Sequence, residues 1–264
     1  MIVAFEEALA VVRTDLAVRQ ARIPLPELKT RALAQTPPLD GYRALHAEGV
    51  AVIAEIGPSC PAKGALAGEY EQGGANVISV PISLRRSDRS LQDLLDVRIR
   101  VQVPVLYKGL VISSYQLWEA RAHGADLVLL VVAALGPEAL VSLIERAESI
   151  GLNALVEVHD EDELDRALTA GARIIAVNPR DLATREVDQA VLARLLPLIP
   201  DGVVRVAECG PTGHGDLFSC ARSGADAVLT GQSVLSTKNP RMTVARLVAM
   251  GTHPALGRWR RQTA

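Results

Sequence analysis

The sequence predicts an α/β protein in which parallel strands alternate with helices and close into a (β/α)8 barrel, the TIM-barrel architecture, behind an N-terminal helical extension. Three observations carry this expectation. Apolar, strand-like runs recur at Val50–Ile56, Asn76–Val80, Val103–Tyr107, Asp126–Val131, Ala154–Val158, Ile174–Asn178, Val203–Glu208 and Ala227–Gly231. Amphipathic, helix-like segments such as Glu138–Ser149 and Asp162–Ala170 lie between them. A short motif then marks the repeat: Gly74-Ala75-Asn76, Gly124-Ala125-Asp126, Gly171-Ala172-Arg173 and Gly224-Ala225-Asp226 each stand just before a strand. A glycine there ends the preceding helix in a left-handed conformation, and the small alanine lets the turn tuck under the sheet. Four units of roughly 50 residues, each with two strands and two helices, match the length of a closed barrel. An open doubly wound sheet is the structural alternative, but the even spacing favours closure.

Up to about Gly49 the pattern is helical, with Phe5, Leu9, Val12 and Leu16 on one face and breaks at Pro24, Pro26 and Pro37-Pro38. Residues 1–264 are therefore expected to form a single barrel domain, of which 1–49 are the extension. The stretch Val52–Gly64 stands out within it. A strand of β-branched and small apolar residues reads as buried on both faces, and such a strand has no reason to hold Glu55 unless that residue sits at its end.

Composition narrows the function. With 264 residues, 49% apolar content and a net charge of −2, the chain can bury a large core and carries no basic stripe for nucleic acid. The first residues, with Glu6 and Glu7, lack the pattern of a secretory signal, and the longest apolar stretch, Leu127–Leu135, is too short to span a bilayer as a helix. A cytoplasmic protein with no membrane partner is expected. Cys60, Cys209 and Cys220 are widely spaced, and neither they nor the histidines make a metal-binding pattern. No metal or cofactor is anticipated, and oligomeric state is left open.

In a barrel of this kind the chemistry sits at the C-terminal ends of the strands. Those ends read Glu55, Ser79, Lys108, Val131, Glu157, Asn178, Glu208 and Gly231. A lysine, three carboxylates and an amide on one rim suit proton transfers on a polar substrate. Any one carboxylate taken alone reads more simply as a surface or loop-anchoring group. After the seventh and eighth strands, Gly210 and the pair Gly231-Gln232 can present backbone N–H groups to a phosphate, although glycines there also serve as plain turn residues.

Taken together the motifs resemble one family. Ile53-Ala54-Glu55-Ile56 with Pro61-Ala62-Lys63-Gly64, then Pro104-Val105-Leu106-Tyr107-Lys108, Tyr115-Gln116 and Glu119-Ala120-Arg121 carry the first half. Leu155-Val156-Glu157-Val158-His159-Asp160, Asn178-Pro179-Arg180-Asp181-Leu182, Glu208-Cys209-Gly210 and Leu229-Thr230-Gly231-Gln232-Ser233 carry the second. Over nearly its whole length the chain resembles indole-3-glycerol phosphate synthase. The resemblance implies closure of the indole ring of 1-(2-carboxyphenylamino)-1-deoxyribulose 5-phosphate, with loss of carbon dioxide and water and without a cofactor. It implies Lys108 as general acid and Glu157 in the later proton removal and dehydration, with Glu55 and Glu208 holding the lysine and substrate groups. It further implies Asn178, supported by Arg180, on substrate hydroxyls, and backbone N–H groups around Gly210, Gly231 and Gln232 on the phosphate.

The chain departs from the family pattern in places. Gly57 stands where the family carries a second active-site lysine, and Lys108 is followed by Gly109-Leu110 rather than an aspartate and a phenylalanine. Cys60 and Cys209 replace serines, and Ile82-Ser83 replaces a threonine-glutamate pair. Arg85 or Arg86 in the second loop is a candidate replacement for the missing cation. These changes keep two other readings open: a paralogue that decarboxylates or cyclises a related aminated sugar phosphate, and a non-catalytic barrel.

Overall fold

A computed structural model of the chain describes residues 2–84, 87–182, 184, 186–209, 214–231, 237–253 and 256. Strands β1 (Ala51–Glu55), β2 (Val77–Pro81), β3 (Val105–Lys108), β4 (Leu127–Val131), β5 (Asn153–Val158), β6 (Ile174–Val177), β7 (Val204–Cys209) and β8 (Ala227–Thr230) close into a barrel in sequence order. Every neighbouring pair is parallel, and β1 closes the ring by pairing Ala51 with Ala227 and Ala54 with Thr230. The open sheet is thereby excluded. Each expected strand is present to within one or two residues. The largest difference is at β3, where pairing starts two residues late. Pro104 has no N–H to give a ladder, and the Val103 N–H is donated to Glu71 Oε1 at 3.1 Å.

Outside the barrel run α4 (Lys63–Gln72), α5 (Ser87–Arg98), α6 (Ser114–Ala122), α7 (Pro137–Ser149), α8 (Glu161–Thr169), α9 (Ala190–Leu195), α10 (His214–Arg222) and α11 (Pro240–Gly251). Strand residues alternate between two cores, as the period of two requires. Val52, Ala54, Val105, Tyr107, Val156 and Val228 pack outward on the helices. Ala51, Ile53, Leu106, Leu127, Leu155, Val206 and Leu229 fill the barrel interior. Among the described residues no helix is long and apolar enough to cross a membrane.

The repeated motif works at the lower, N-terminal end of the strands. Gly74, Gly124, Gly171 and Gly224 all have positive φ, between 79° and 96°, and the alanine after each is buried. The third residue supplies a further service wherever it is Asn or Asp. Asn76 Oδ1 accepts the Val52 N–H at 2.9 Å, Asp126 Oδ2 the Val105 N–H at 2.8 Å, and Asp226 Oδ2 the Arg205 N–H at 2.9 Å. Each side chain thus satisfies a backbone donor at the start of the preceding strand, where the ladder offers no partner.

The extension consists of α1 (Ile2–Arg22), α2 (Leu25–Leu33) and α3 (Gly41–Leu45). Pro26 does not break it, contrary to expectation: it lies in the first turn of α2, where the missing N–H costs nothing. The short α3 plugs the bottom of the barrel. Asn153 Oδ1 accepts the Gly41 and Tyr42 N–H groups at 2.7 and 3.2 Å, and a Cβ on Gly41 would meet the Leu127 side chain at 2.5 Å. Long α1 is tied to α6 by the buried Arg19–Glu119 ion pair and by Tyr115 Oη, which lies 3.1 Å from the Arg19 carbonyl and 2.9 Å from that of Ile23 just beyond the helix.

Asp126 holds three groups at once: the Val105 N–H, the Leu39 N–H at 2.8 Å and the Arg98 guanidinium at 2.6 Å. Asp126→Ala leaves two backbone donors without partners and removes one contact of the half-buried Arg98, which keeps the Val101 and Val103 carbonyls. We expect it to lower the unfolding free energy by about 2 to 4 kcal/mol in chemical denaturation. A loss below about 1 kcal/mol would contradict this assignment.

Candidate active site

The alternation that fills the barrel also builds the site. Counting by twos from the interior residues leads from Ile53 to Glu55, from Val77 to Ser79, from Leu106 to Lys108 and from Leu129 to Val131. The same step leads from Leu155 to Glu157, Ala176 to Asn178, Val206 to Glu208 and Leu229 to Gly231. All eight strand ends named from sequence therefore share the inward face. A cavity of about 370 Å³ opens above them, and its lining includes the polar side chains of Lys108, Glu157, Asn178, Arg180 and Glu208. Apolar lining comes from Leu110, Leu129, Val131 and Leu182 together with Phe5 and Ala8 of α1.

Lys108 is the centre of this arrangement. Its ammonium donates to Glu208 Oε1 at 2.6 Å and lies 2.7 Å from Glu55 Oε2, an ion pair without hydrogen-bond alignment. Burial by itself lowers the lysine's pKa, but Glu208, Glu55 and Glu157 together more than reverse this, so the group stays charged. Burial pushes the Glu208 carboxyl up, to about 7, against the pull of Lys108 and with help from the nearby charge of Glu157.

Glu157 is buried beside this pair. Asn178 Nδ2 donates to Glu157 Oε1 at 3.2 Å, and Asn178 Oδ1 accepts the Arg180 N–H at 3.0 Å, so the amide is locked between strand and loop. His159, missed as a site residue from sequence, lies beyond it: Nε2 is 3.3 Å from Glu157 Oε1 and Nδ1 is 2.8 Å from Glu163 Oε2. Burial lowers the imidazole's pKa, but the two carboxylates outweigh it and raise the value to about 10. For Glu157 burial acts upward, and His159, Lys108 and Asn178 bring the net shift downward. The signal for His159 was present in the motif, since a residue two beyond Glu157 in an extended chain lies on the same side.

Ser79 and Thr230 are buried with hydroxyl oxygens that have no hydrogen-bond partner among the described atoms. Glu55 Oε2 and Glu208 Oε2 are likewise without one. Gly231 is half-buried, and a Cβ placed on it would meet nothing within 4 Å. The phosphate candidates Gly210 and Gln232, and the loop arginines Arg85 and Arg86, lie outside the described residues. Lys63, from the Pro61–Gly64 motif, points away from the cavity: it pairs with Asp93 at 2.9 Å and donates to the Pro58 and Cys60 carbonyls at 3.3 Å, holding the β1–α4 loop.

The raised groups set a pH dependence of stability. Glu208 moves from 4.5 to about 7 and His159 from 6.5 to about 10, so the folded chain binds more protons than the unfolded one across both windows. The Glu208 contribution is complete below its unfolded value and disappears as pH rises through the folded value; that of His159 follows at higher pH. We expect the unfolding free energy in urea to fall steadily from about pH 5 to pH 10, and Glu208→Gln to flatten the lower half of that range. Equal slopes for the two proteins below about pH 8 would contradict the Glu208 assignment.

Residues 5–247 match the sequence profile of the family described as Indole-3-glycerol phosphate synthase. The chain is 55% identical over 260 residues to Indole-3-glycerol phosphate synthase 1 of Streptomyces coelicolor, covering 95% of this chain and 97% of that protein. It is 51% identical over 253 residues to the Indole-3-glycerol phosphate synthase of Mycobacterium avium, covering 92% and 93%. Among solved structures, thiamine phosphate pyrophosphorylase from Pyrococcus furiosus superposes with a TM-score of 0.63 at 14% identity, over 80% of this chain and 96% of that one. The 3-hexulose-6-phosphate synthase of Salmonella typhimurium superposes with a TM-score of 0.62 at 14% identity, over 77% and 100%. At such identities the two structures speak for the fold alone. The sequence matches go further: the chain belongs to the indole-3-glycerol phosphate synthase family, a family of carboxy-lyases.

Proposed function

We infer that the chain closes the indole ring of 1-(2-carboxyphenylamino)-1-deoxyribulose 5-phosphate, releasing carbon dioxide and water, as a cytoplasmic enzyme of tryptophan biosynthesis. The observation that carries this reading is the charged ammonium of Lys108, gripped by Glu208 and Glu55 in a cavity lined by both apolar and polar side chains. Leu110, Leu129, Val131 and Leu182 suit an aromatic ring, and the polar lining suits a sugar.

Lys108 serves as general acid. It gives its proton to the substrate's carbonyl oxygen while the ring carbon attacks, and the two carboxylates keep it charged until then. Loss of carbon dioxide restores the aromatic ring. Lys108 regains a proton from solvent once carbon dioxide has left. Glu157, ionised and held by Asn178, then removes the proton whose departure completes the dehydration. The leaving hydroxyl takes the proton of the recharged Lys108, so that one solvent proton is consumed overall. Glu55 and Glu208 position Lys108. Asn178 and Arg180 bind sugar hydroxyls, and backbone N–H groups at Gly210, Gly231 and Gln232 bind the phosphate.

Purified protein supplied with the carboxyphenylamino substrate should produce indole fluorescence, and Lys108→Ala should lower kcat by about 10²- to 10⁴-fold. Absence of turnover at high protein concentration would refute the reaction, and full activity in the variant would refute the acid. Gly57→Lys adds the second cation that the family pattern carries. It is expected to raise kcat/KM by about tenfold, in line with a charge-assisted contact of about 1.5 kcal/mol. An unchanged or lower value would show that this lysine does not limit the reaction.

A further inference from the structure

Behind the base Glu157 lies an imidazole–carboxylate pair that the reaction outlined above does not use, running from the cavity wall to the start of α8. His159 Nδ1 is 2.8 Å from Glu163 Oε2, and the same oxygen accepts the His159 backbone N–H at 2.9 Å. Glu163 is itself fixed, because its N–H is donated at 2.8 Å to Asp160 Oδ1, the N-cap of α8. At the other end of the ring, Nε2 is buried, has no aligned hydrogen bond, and faces Glu157 Oε1 at 3.3 Å. A carboxylate only accepts, so a ring with carboxylate oxygens at both nitrogens is satisfied by a proton on each.

We propose that His159 is a positioning residue: clamped by Glu163 as an imidazolium, it keeps Glu157 ionised and aimed into the cavity. This inference rests on Glu157 acting as the base in the proposed reaction. Burial by itself would push that carboxyl toward its neutral form, in which it cannot take a proton, and His159 is the first of the groups opposing this. The other groups facing Glu157 are Lys108 from β3, Asn178 from β6 and Glu208 from β7. Facing His159 are Glu163 and Asp160 of the α8 start, with Arg180, Asp181, Asp188 and Arg194 around the adjoining 390 Å³ cavity. The imidazole does not line the substrate cavity, so its influence runs through Glu157.

His159→Asn keeps a polar group of similar size and removes the charge. The acid limb of its kcat/KM profile should move up by at least one pH unit, a loss of about tenfold on the acid side. KM should stay within about twofold. A profile that superposes on the wild type, or a loss confined to KM, overturns the proposal. The intact unliganded protein gives a second measurement that does not depend on the variant's folding or on turnover. By ¹⁵N NMR, both His159 ring nitrogens should carry protons at about pH 8, and Glu163→Gln should lower the midpoint of that titration. A neutral ring at that pH overturns the proposal. A wild-type protein without turnover refutes the reaction instead, while the NMR result still decides whether the imidazolium exists.

Discussion

The structure turns on one ammonium. Lys108 reaches from β3 to carboxylates on β1 and β7, strands that are not its neighbours in the sheet, so its ion pairs exist only because the barrel is closed. Buried charges are costly unless paired and hydrogen-bonded. Here one cation is set among three acids, with Glu157 also close enough to raise it. The excess negative charge is relieved in two ways. Glu208 shifts toward its neutral form, and Glu157 shares its charge with His159.

The two ends of the barrel divide the work. Above, on β1, β3, β5 and β7 the inward-facing positions turn from aliphatic to ionisable in a single step of two residues. Below, Asn76, Asp126 and Asp226 use the same kind of polar side chain for another purpose, capping backbone donors. Asp126 and Glu157 are both buried acids, yet the first accepts two backbone N–H groups and an arginine, whereas the second faces a cavity. Saturated hydrogen bonding marks a structural acid, and unused acceptors beside a cavity mark a chemical one.

Much of this was legible in the sequence, because the C-terminal ends of barrel strands share one rim. Once the strands were recognised, Glu55, Lys108, Glu157, Asn178 and Glu208 fell on that rim without any knowledge of the helices. What escaped depended on contacts between distant segments or on counting past a strand end. His159 was read as part of a motif and not followed two residues beyond Glu157, and Glu163 was not singled out. Phe5 and Ala8 reached the cavity because the buried Arg19–Glu119 pair seats α1 across the rim. An amphipathic pattern shows that a face is apolar and not what it will cover. Pro26 was misread for a related reason: a proline ends a helix from inside and begins one from its first turn, and the distinction lies in backbone position rather than in residue type.

The pairing of Ala51 with Ala227 has a consequence for how the chain is made. During vectorial synthesis β1 emerges early and has no second neighbour until β8 leaves the ribosome. A nascent chain that has produced seven strands therefore exposes two unpaired edges and an uncovered apolar interior, the features that favour association between chains. The long-range closure that lets one lysine bridge β1 and β7 also makes the interval before β8 appears the most aggregation-prone stage of the protein's life.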